Sequence, residues 1–455
     1  MENTQAKSST QASLFSLLKV NQKSVQLDFN GADYSSDGGV LLLREVENQL
    51  GLLHEIGATI KDDRDVRYVK HSVLDMLMQR VGQIACGYED ADDCDDLRND
   101  PIFKIFAGRS PQTDHALASQ PTQSRFENSI ARRYLYKLTH VFIDNFIRSY
   151  ETEPEVIVID FDDTEDKVHG DQQLALFNGF FNEYCFMPLH IYEGLSGKLI
   201  GTLLRPGKRM SGKQVLAILK RLVNKLRQAW PNTIIIFRGD SHFSSPEVFS
   251  WIEQQSNVHF VTGLTGNNVL QNMIKHIVKK AQERYDSFGK DIKLFHSFYY
   301  KAGSWDKPRR VIVKVEINEK GKNIRFIATD LQKAKATILY KEVYCARGKA
   351  ELNIKEHKLY LKSDRTSCTS FFANQFRLFL HSAAYVLMHA LRENVLKHTQ
   401  WSNSTLSTIR LRLFKIGARV RELKTRIRVE FPASCPVKDD LQHYFQIFEV
   451  LRSSA

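Results

Sequence analysis

Cysteine is scarce and scattered in this sequence, and its spacing excludes two classes of protein. No C-x-x-C pair is present, and no histidines stand at zinc-binding spacing from any of the six cysteines: Cys86, Cys94, Cys185, Cys345, Cys368 and Cys435. A disulfide framework or a structural zinc site needs such spacings. We therefore expect free thiols in a reducing compartment, the cytoplasm.

Long apolar runs are also lacking. The most apolar helical segment starts at Phe371 and is interrupted by Asn374, Arg377 and His381, whereas a membrane-spanning helix needs about 20 apolar residues in a row. The N-terminal residues contain no charged region leading into an apolar stretch, so no signal peptide is expected. This pattern predicts a buried core helix and no membrane partner.

Acidic residues are outnumbered by basic ones, which gives a net charge of +12. Such an excess favours a polyanionic partner, and nucleic acid is the usual one. The basic residues are densest near the C-terminus, at Arg410, Arg412, Lys415, Arg419, Arg421, Lys424, Arg426 and Arg428. We expect this segment and the N-terminal region to bind DNA ends, with an affinity that falls as salt rises.

The chain is too long for one ordinary core, since 455 residues correspond to two to four domains. Changes in residue pattern divide it into segments. These are a mostly helical N-terminal DNA-binding region (1–150), the first part of a catalytic core (151–265), a β-rich insertion (266–340), the last part of the core (341–395) and a basic helical C-terminal segment (396–455).

The core segment has the pattern of an α/β protein. "VIVID" is a continuous β-branched run, typical of a strand buried on both faces. Two more strand patterns follow, "EYCFMPLHIY" and "KLIGTLLR", and then the amphipathic helix "SGKQVLAILKRLVNKLRQAW". The strands "TIIIFRGD" and "VHFVTGL" close the segment, with a short helix between them. The order β-β-β-α-β-α-β predicts a mixed sheet covered by helices.

Acidic residues stand at the ends of two of these strands. Asp160 and Asp162 are two apart and face the same side of the first strand, whereas Asp163 faces the other. Asp240 lies just past the fourth strand, where ligands of open α/β sheets gather. The alternative is that each is structural, with Asp240 forming turn chemistry in "GDSH".

A regular set of polar residues follows in "YCARGKAELNIKEHK". At about 100° per residue, a helix would carry them within a sector roughly 60° wide: Tyr344, Arg347, Glu351 and Lys358, with Lys355 on the same stripe. One interpretation is a solvated face with ion pairs. The other is that a metal-binding carboxylate and a phosphate clamp share one face.

Taken together, two strand-end aspartates and a helical glutamate supply three carboxylates from separate segments. Mg²⁺ prefers a few oxygen ligands and keeps several waters. Two such ions about 4 Å apart can activate a hydroxyl and stabilise the leaving oxygen in phosphoryl transfer. The interpretation in which one helix face carries a metal-binding carboxylate and a phosphate clamp is consistent with that chemistry.

These residues resemble a known family. The spacing Tyr344-x2-Arg347-x3-Glu351-x6-Lys358 matches the Y-(2)-R-(3)-E-(6)-K signature of bacterial insertion-sequence DDE transposases, closest to the IS-thirteen-eighty type. The "D-x-T" that starts at Asp162 and the "RGDSHF" around Asp240 resemble the family's first two catalytic aspartates, and "FNGFFNEYCFMP" and "LRPGK" are similar to other family segments. The likeness covers roughly residues 35 to 430.

The resemblance implies a ribonuclease-H-like core with a β-rich insertion, and it implies roles for the site residues. Asp162 would bridge two Mg²⁺ ions, for which Mn²⁺ substitutes, while Asp240 and Glu351 would each bind one; Asp160 stays open as the alternative to Asp162. Phosphates of the element's terminal strand would be held by Tyr344, Arg347 and Lys358, and Lys355 is a further DNA-binding candidate. Relatives that form hairpin DNA stack a flipped base on a tryptophan of the insertion. Trp305 is the candidate here, with a half-buried packing role as the equal alternative.

The function that follows is cut-and-paste transposition, with the terminal inverted repeats of the element and target DNA as partners and a homodimer in the synaptic complex. Two alternatives remain: a ribonuclease-H-fold nuclease that hydrolyses DNA without strand transfer, and a domesticated DNA-binding protein. The nuclease shares all three carboxylates, so only products separate it from a transposase. The intact Asp162, Asp240 and Glu351 argue against a domesticated DNA-binding protein.

Overall fold

The N-terminal part of the chain is mainly helical, because apolar residues recur there at the helical period. The protein is described by a computed structural model that covers residues 15–27 and 31–453. Residues 1–14 and 28–30 of the predicted region 1–150, and residues 454–455 of the predicted segment 396–455, lie outside the described residues. Its elements are β1 (Phe15–Val20), β2 (Lys23–Leu27), β3 (Tyr34–Ser35), α1 (Leu41–Leu50), α2 (Leu52–Thr59), α3 (Val73–Cys86), α4 (Asp93–Leu97), α5 (Pro101–Phe106), α6 (Gln120–Ser129) and α7 (Arg132–Arg148). A capping box of Ser72 and Asp75 starts α3.

The α/β segment follows as the sequence pattern predicts. Its elements are β4 (Val156–Asp163), β5 (Asp166–Lys167), β6 (Leu176–Asn178), β7 (Glu183–Phe186), β8 (Leu189–Glu193), β9 (Leu199–Leu203), α8 (Gly212–Ala229), β10 (Ile234–Gly239), α9 (Pro246–Ile252) and β11 (Val258–Leu264). The sequence pattern predicts one strand over "EYCFMPLHIY". The stretch forms two, because Pro188 lacks the N–H that a continuous ladder would need.

The predicted β-rich insertion extends the central sheet. It contains α10 (Asn268–Met273), α11 (Lys275–Phe288), β12 (Ile292–Tyr300), β13 (Arg309–Asn318) and β14 (Gly321–Thr329). Because β14 pairs with β11, the sheet has eight strands in the order β12-β13-β14-β11-β10-β4-β8-β9. Strands β4, β10 and β11 are parallel, and the other neighbours are antiparallel. The expected mixed α/β sheet is confirmed.

A long helical stretch then runs from Ala336 to Tyr360, and it is not one regular α-helix. Helix α12 (Ala336–Ile338) passes into a π-helical turn (Leu339–Tyr344), a 3₁₀ turn (Cys345–Arg347), α13 (Gly348–Lys355) and a second π-helical turn (Glu356–Tyr360). The predicted core helix follows as α14 (Phe371–Ala390), nearly all of it buried. No helix in the described part of the chain is long and apolar enough to cross a membrane.

The C-terminal segment differs from the expected basic helix. It contains α15 (Leu406–Ile409), a π-helical turn (Arg410–Phe414), β15 (Ala418–Leu423), β16 (Arg426–Glu430) and α16 (Lys438–Ser453). The arginines from 419 to 428 therefore lie on a β-hairpin. Valine and isoleucine alternate with arginine in "ARVRELKTRIRVE", and this period of two favours strands over a helix.

Two large apolar cores hold most of these elements, and two smaller clusters lie beside them in the described part of the chain. One joins the N-terminal helices to α14 and to the C-terminal hairpin, with Phe376 and Val420 fully buried in it. The other lies between the central sheet and helices α8, α9 and α11, with Phe237 and Phe260 at its centre. One of the smaller clusters packs Val261, Ile312 and Ile327 of the sheet against Leu339 and Tyr340 at the start of the stretch Ala336–Tyr360.

Candidate active site

Asp162 lies at the end of the central strand β4, opposite His190 of β8. It is 8% exposed, and its Oδ2 accepts a hydrogen bond of 3.0 Å from Nη1 of Arg347. Burial raises the pKa of this carboxyl to about 7, and the charges of Asp240 and Glu351 act in the same direction, against that of Arg347. Asp162 is therefore a buried carboxyl group that has lost hydration and that pairs with one guanidinium.

Asp160, the alternative to Asp162, is committed to an ion pair. It is fully buried, and its two oxygens accept hydrogen bonds of 2.5 and 2.6 Å from Arg238 of β10. The same guanidinium donates to the carbonyl oxygen of Val343, so it also ties the helical stretch to the sheet. This placement favours Asp162 as the reactive carboxylate of β4.

Asp240 directly follows β10, at the carboxyl ends of the parallel strands β4 and β10. Its Oδ1 accepts a hydrogen bond of 2.7 Å from the backbone N–H of His242, which is the turn chemistry that the sequence suggested. The residue also lines an open cavity of about 460 Å³ together with Tyr344 and Arg325. Asp240 thus stabilises the turn after β10 and also faces an open cavity.

The hydroxyl of Tyr344 reaches the same place because Gly263 of β11 has no side chain. A Cβ at this position would lie 2.8 Å from the Tyr344 hydroxyl oxygen and 2.8 Å from the backbone nitrogen of Ser241. Such distances are shorter than any ordinary contact. Gly263 therefore permits Tyr344 to lie against the segment that carries Asp240.

Arg347 lies between two of the three predicted carboxylates. Its Nη1 is 3.0 Å from Asp162 and its Nη2 is 2.6 Å from Glu351. The residue ends the 3₁₀ turn that interrupts the helical stretch, and such interruptions in helices often occur at functional sites. Glu351, one α-helical turn later, has a side chain that is 59% exposed and therefore open to solvent.

The two lysines of the predicted stripe point to different places. Nζ of Lys358 is 3.1 Å from Oε1 of Glu165 and also donates to the carbonyl oxygen of Glu165, so it fixes the loop after β4. Lys355 is exposed and lines another cavity, beside Glu356 and Arg392. The prediction of a single stripe requires a regular α-helix. The π-helical turn from Glu356 to Tyr360 changes the rotation per residue, so Lys355 and Lys358 do not share one face.

Trp305 is placed as a core residue. It is 6% exposed, its ring packs edge-on against Phe249 and Tyr300, and the guanidinium of Arg309 lies 5.4 Å from its centre. A base cannot stack on the ring in this arrangement. The placement favours the packing role over base stacking.

Arg238 is the main site residue that the sequence analysis missed. An arginine within the apolar run "TIIIFRGD" signals a buried ion pair, because a charge in a buried strand needs a partner. His242 was missed as well. Its ring lies 3.8 Å from Asp163, and the pKa of His242 is raised mainly by that carboxylate.

The chemistry of these side chains suits a divalent cation, although the carboxylates do not form a closed set of ligands. In residues 15–27 and 31–453, no three His, Cys, Asp or Glu side chains are grouped closely enough to hold an ion. Arg347 acts as the positive partner of Asp162 and Glu351 instead. Burial still outweighs the charge of Arg347, so the pKa of Asp162 is raised.

The fold and the site define a mixed α/β protein with acidic residues from two adjacent parallel strands and a later helix. The sequence matches the family "Transposase DDE domain group 1" over residues 17–453, and the chain belongs to this family. The expected DDE transposase family is thus confirmed, while the IS-thirteen-eighty type stays a prediction. Members of this family generally depend on divalent metal ions.

Two further comparisons are less informative. A comparison with curated protein sequences gives no match. A cryo-EM structure of the piggyBac transposase synaptic complex with hairpin DNA is similar, with a TM-score of 0.44 and 11% identity over 85% of this chain and 80% of that chain. A likeness at that score is too weak to bear on the fold or the function of this chain.

Proposed function

We propose that this chain is a cut-and-paste transposase that cleaves DNA at the ends of its element and joins them to target DNA. The proposal rests on one observation above all: Arg347 links Asp162 of β4 to Glu351 of α13, at the end of β4 that lies beside the end of the parallel strand β10, which Asp240 follows. Two adjacent strands and a distant helix thus contribute to one acidic site.

The strand order supports a ribonuclease-H-like core. Counting β4, β8, β9, β10 and β11 as strands one to five, the sheet order is 3-2-1-4-5. The first three strands are antiparallel, and the fourth and fifth run parallel to the first. The three-stranded extension β12–β14 then corresponds to the insertion between the second acidic residue and the glutamate.

In the reaction, a water oxygen attacks the phosphorus of a phosphodiester at the element end. A new P–O bond forms, the bond to the 3′-oxygen breaks, and that oxygen takes up a proton. The freed 3′-hydroxyl then attacks a phosphodiester of the target, which exchanges one P–O bond for another. The chain contributes position and electrostatics to both steps.

Asp162, Asp240 and Glu351 are the residues that would hold Mg²⁺ or Mn²⁺. When bound, two such ions lower the pKa of the attacking hydroxyl and stabilise the leaving oxygen. Arg347 holds two of the carboxylates in place and presents a guanidinium that suits phosphate oxygens. Tyr344 lines the cavity beside Asp240 and is available for a further phosphate contact.

A cleavage and joining assay tests this function. It uses DNA with the element's own ends, Mg²⁺ or Mn²⁺, and three proteins: wild type, Glu351→Gln and the control Glu342→Gln, an exposed glutamate of the same helical stretch. We expect cleaved and joined products from wild type and control, and neither product from Glu351→Gln. Cleavage without joining identifies a nuclease, and end binding without cleavage identifies a DNA-binding protein; either result contradicts the proposal.

A further inference from the structure

The C-terminal hairpin carries its arginines on one face. Strands β15 and β16 are antiparallel, and Arg421 pairs with Arg428 in their register. Arg419 is two residues before Arg421, and Arg426 is two residues before Arg428. Because residues two apart and directly opposed residues share a face of a sheet, four arginines lie on the same side of this two-stranded ribbon. We call this surface the arginine face, defined by Arg419, Arg421, Arg426 and Arg428.

The opposite side of the hairpin holds it against the protein. Val420 is fully buried in the core of the N-terminal helices, and Val429 packs against the same core. Glu422 accepts hydrogen bonds of 2.8 and 3.1 Å from the backbone N–H groups of Gln112 and Thr113. These contacts turn the arginine face towards solvent, where the side chain of Arg428 is 56% exposed.

The arginine face has a large excess of positive charge. Glu430 offsets part of it, at 2.5 Å from Arg421 and 3.4 Å from Arg428. Arg419 and Arg426 are exposed as well, and Lys424 adds a further charge at the turn. Neighbouring β3 pairs with β15 so that Tyr34, 60% exposed, lies beside Arg419 on this side.

These features fit duplex DNA better than a protein partner. A protein partner would need several carboxylates placed opposite the four arginines, whereas duplex DNA carries about one phosphate charge per 1.7 Å of helix axis along its whole length. The major groove, about 12 Å wide, admits a two-stranded ribbon, whose strands are about 4.8 Å apart. Arginine also pairs with phosphate through two parallel hydrogen bonds.

We propose that the arginine face binds duplex DNA, with the ribbon along the major groove and the arginines on backbone phosphates. The inference rests on the proposed function, which supplies DNA as the partner, and it assigns a binding surface separate from the acidic site. Contacts of this kind set affinity and orientation without choosing a base sequence. The double variant Arg419→Gln/Arg426→Gln should therefore weaken binding to any duplex.

The test measures duplex binding by fluorescence anisotropy over a series of salt concentrations. The matched control is Lys280→Gln/Arg284→Gln, which removes the same charge from exposed positions of α11. The slope of log K against log salt is negative, and each lost phosphate contact lowers its magnitude by about 0.9. We call Arg419→Gln/Arg426→Gln the ribbon variant. We expect the magnitude of its slope to fall by about two and its affinity at low salt to fall about tenfold or more, for element ends and unrelated duplexes alike. The control should stay within about twofold of wild type, and both variants should unfold at the wild-type temperature.

Unchanged slope and affinity in the ribbon variant would overturn the proposal. Polyglutamate is the comparison ligand: loss of polyglutamate binding with intact DNA binding would assign the face to an acidic protein and would also overturn it. The cleavage assay keeps the two proposals apart. Cleavage by wild type, with normal DNA binding by the ribbon variant, refutes the arginine face alone. Weakened binding by that variant, without cleavage by wild type, supports the arginine face and refutes the transposase.

Discussion

Replacing each aspartate of β4 by asparagine should separate a structural carboxylate from a reactive one. Asp160→Asn leaves the guanidinium of Arg238 buried without its carboxylate, since Asp160 is fully buried and Arg238 is 1% exposed. Removing one partner of such a pair costs about 3–5 kcal/mol of the free energy of unfolding. The double variant Asp160→Asn/Arg238→Met should recover most of that loss, because no buried charge remains unpaired.

Asp162→Asn, in contrast, should not lower the free energy of unfolding at pH 8. A pKa near 7 in the folded protein, against 3.8 for an ordinary aspartate, means that the folded state holds its proton more tightly than the unfolded state. Stability from this residue is therefore lost as pH rises from about 4 to about 7, and the ionised carboxyl then costs about 4 kcal/mol at pH 8. Asparagine removes that cost but also a partner of Arg347, so we expect a gain between zero and about 4 kcal/mol at pH 8.

Urea unfolding at pH 8 with a chelator present, followed by the cleavage assay, measures both effects. We expect Asp160→Asn to unfold at clearly lower urea, and Asp162→Asn to unfold at equal or higher urea while losing cleavage entirely. A stable Asp160→Asn beside a strongly destabilised Asp162→Asn would refute the assignment of the two roles. So would cleavage activity that persists in Asp162→Asn.

Substitutions at three other positions probe particular contacts. Trp305→Ala should cost about 3–5 kcal/mol in urea unfolding, and Trp305→Phe clearly less, because the ring is a core residue; a wild-type stability in Trp305→Ala would contradict this. Gly263→Ala should displace Tyr344 and slow cleavage on the order of 10²-fold, and a normal rate would show that the close contact is unimportant. Asp166 is buried with both oxygens lacking a hydrogen-bond partner among the described residues, and burial raises its pKa well above the usual range. Asp166→Asn should therefore be more stable than wild type at pH 8, with the difference vanishing near pH 3, and an equal pH profile would contradict the reasoning.

The mixed sheet could be predicted from the sequence because its central strands β4 and β10 begin with continuous apolar runs. Local pattern also located Asp162 and Asp240, since each follows a run such as "VIVID" or "TIIIF". The pairing of β14 with β11 could not be predicted, because which strand edge accepts a neighbour depends on tertiary packing. The sequence therefore predicted a β-rich insertion at 266–340 but not that its strands extend the central sheet.

Helix geometry limited the prediction for the second half of the site. Periodicity assumed an even rotation, and the π-helical and 3₁₀ turns between Leu339 and Tyr360 break it, so that Lys355 and Lys358 diverge. The pairing of Asp160 with Arg238 lay beyond local pattern, since the two are 78 positions apart. Trp305 shows the same limit, because burial depends on Phe249 and Tyr300 from other elements.

The central claim is that Asp162, Asp240 and Glu351 act as one site for phosphoryl transfer. Its most direct test is the rate at which a pre-cleaved end with a free 3′-hydroxyl is joined to target DNA by Asp162→Asn, Asp240→Asn, Glu351→Gln and their double variants. We predict that each single variant loses about 10³-fold or more and that the double variants lose no more than the singles, because residues that act as a unit are not additive. Joining at a near wild-type rate in any single variant, or losses that add in the doubles, would contradict the claim.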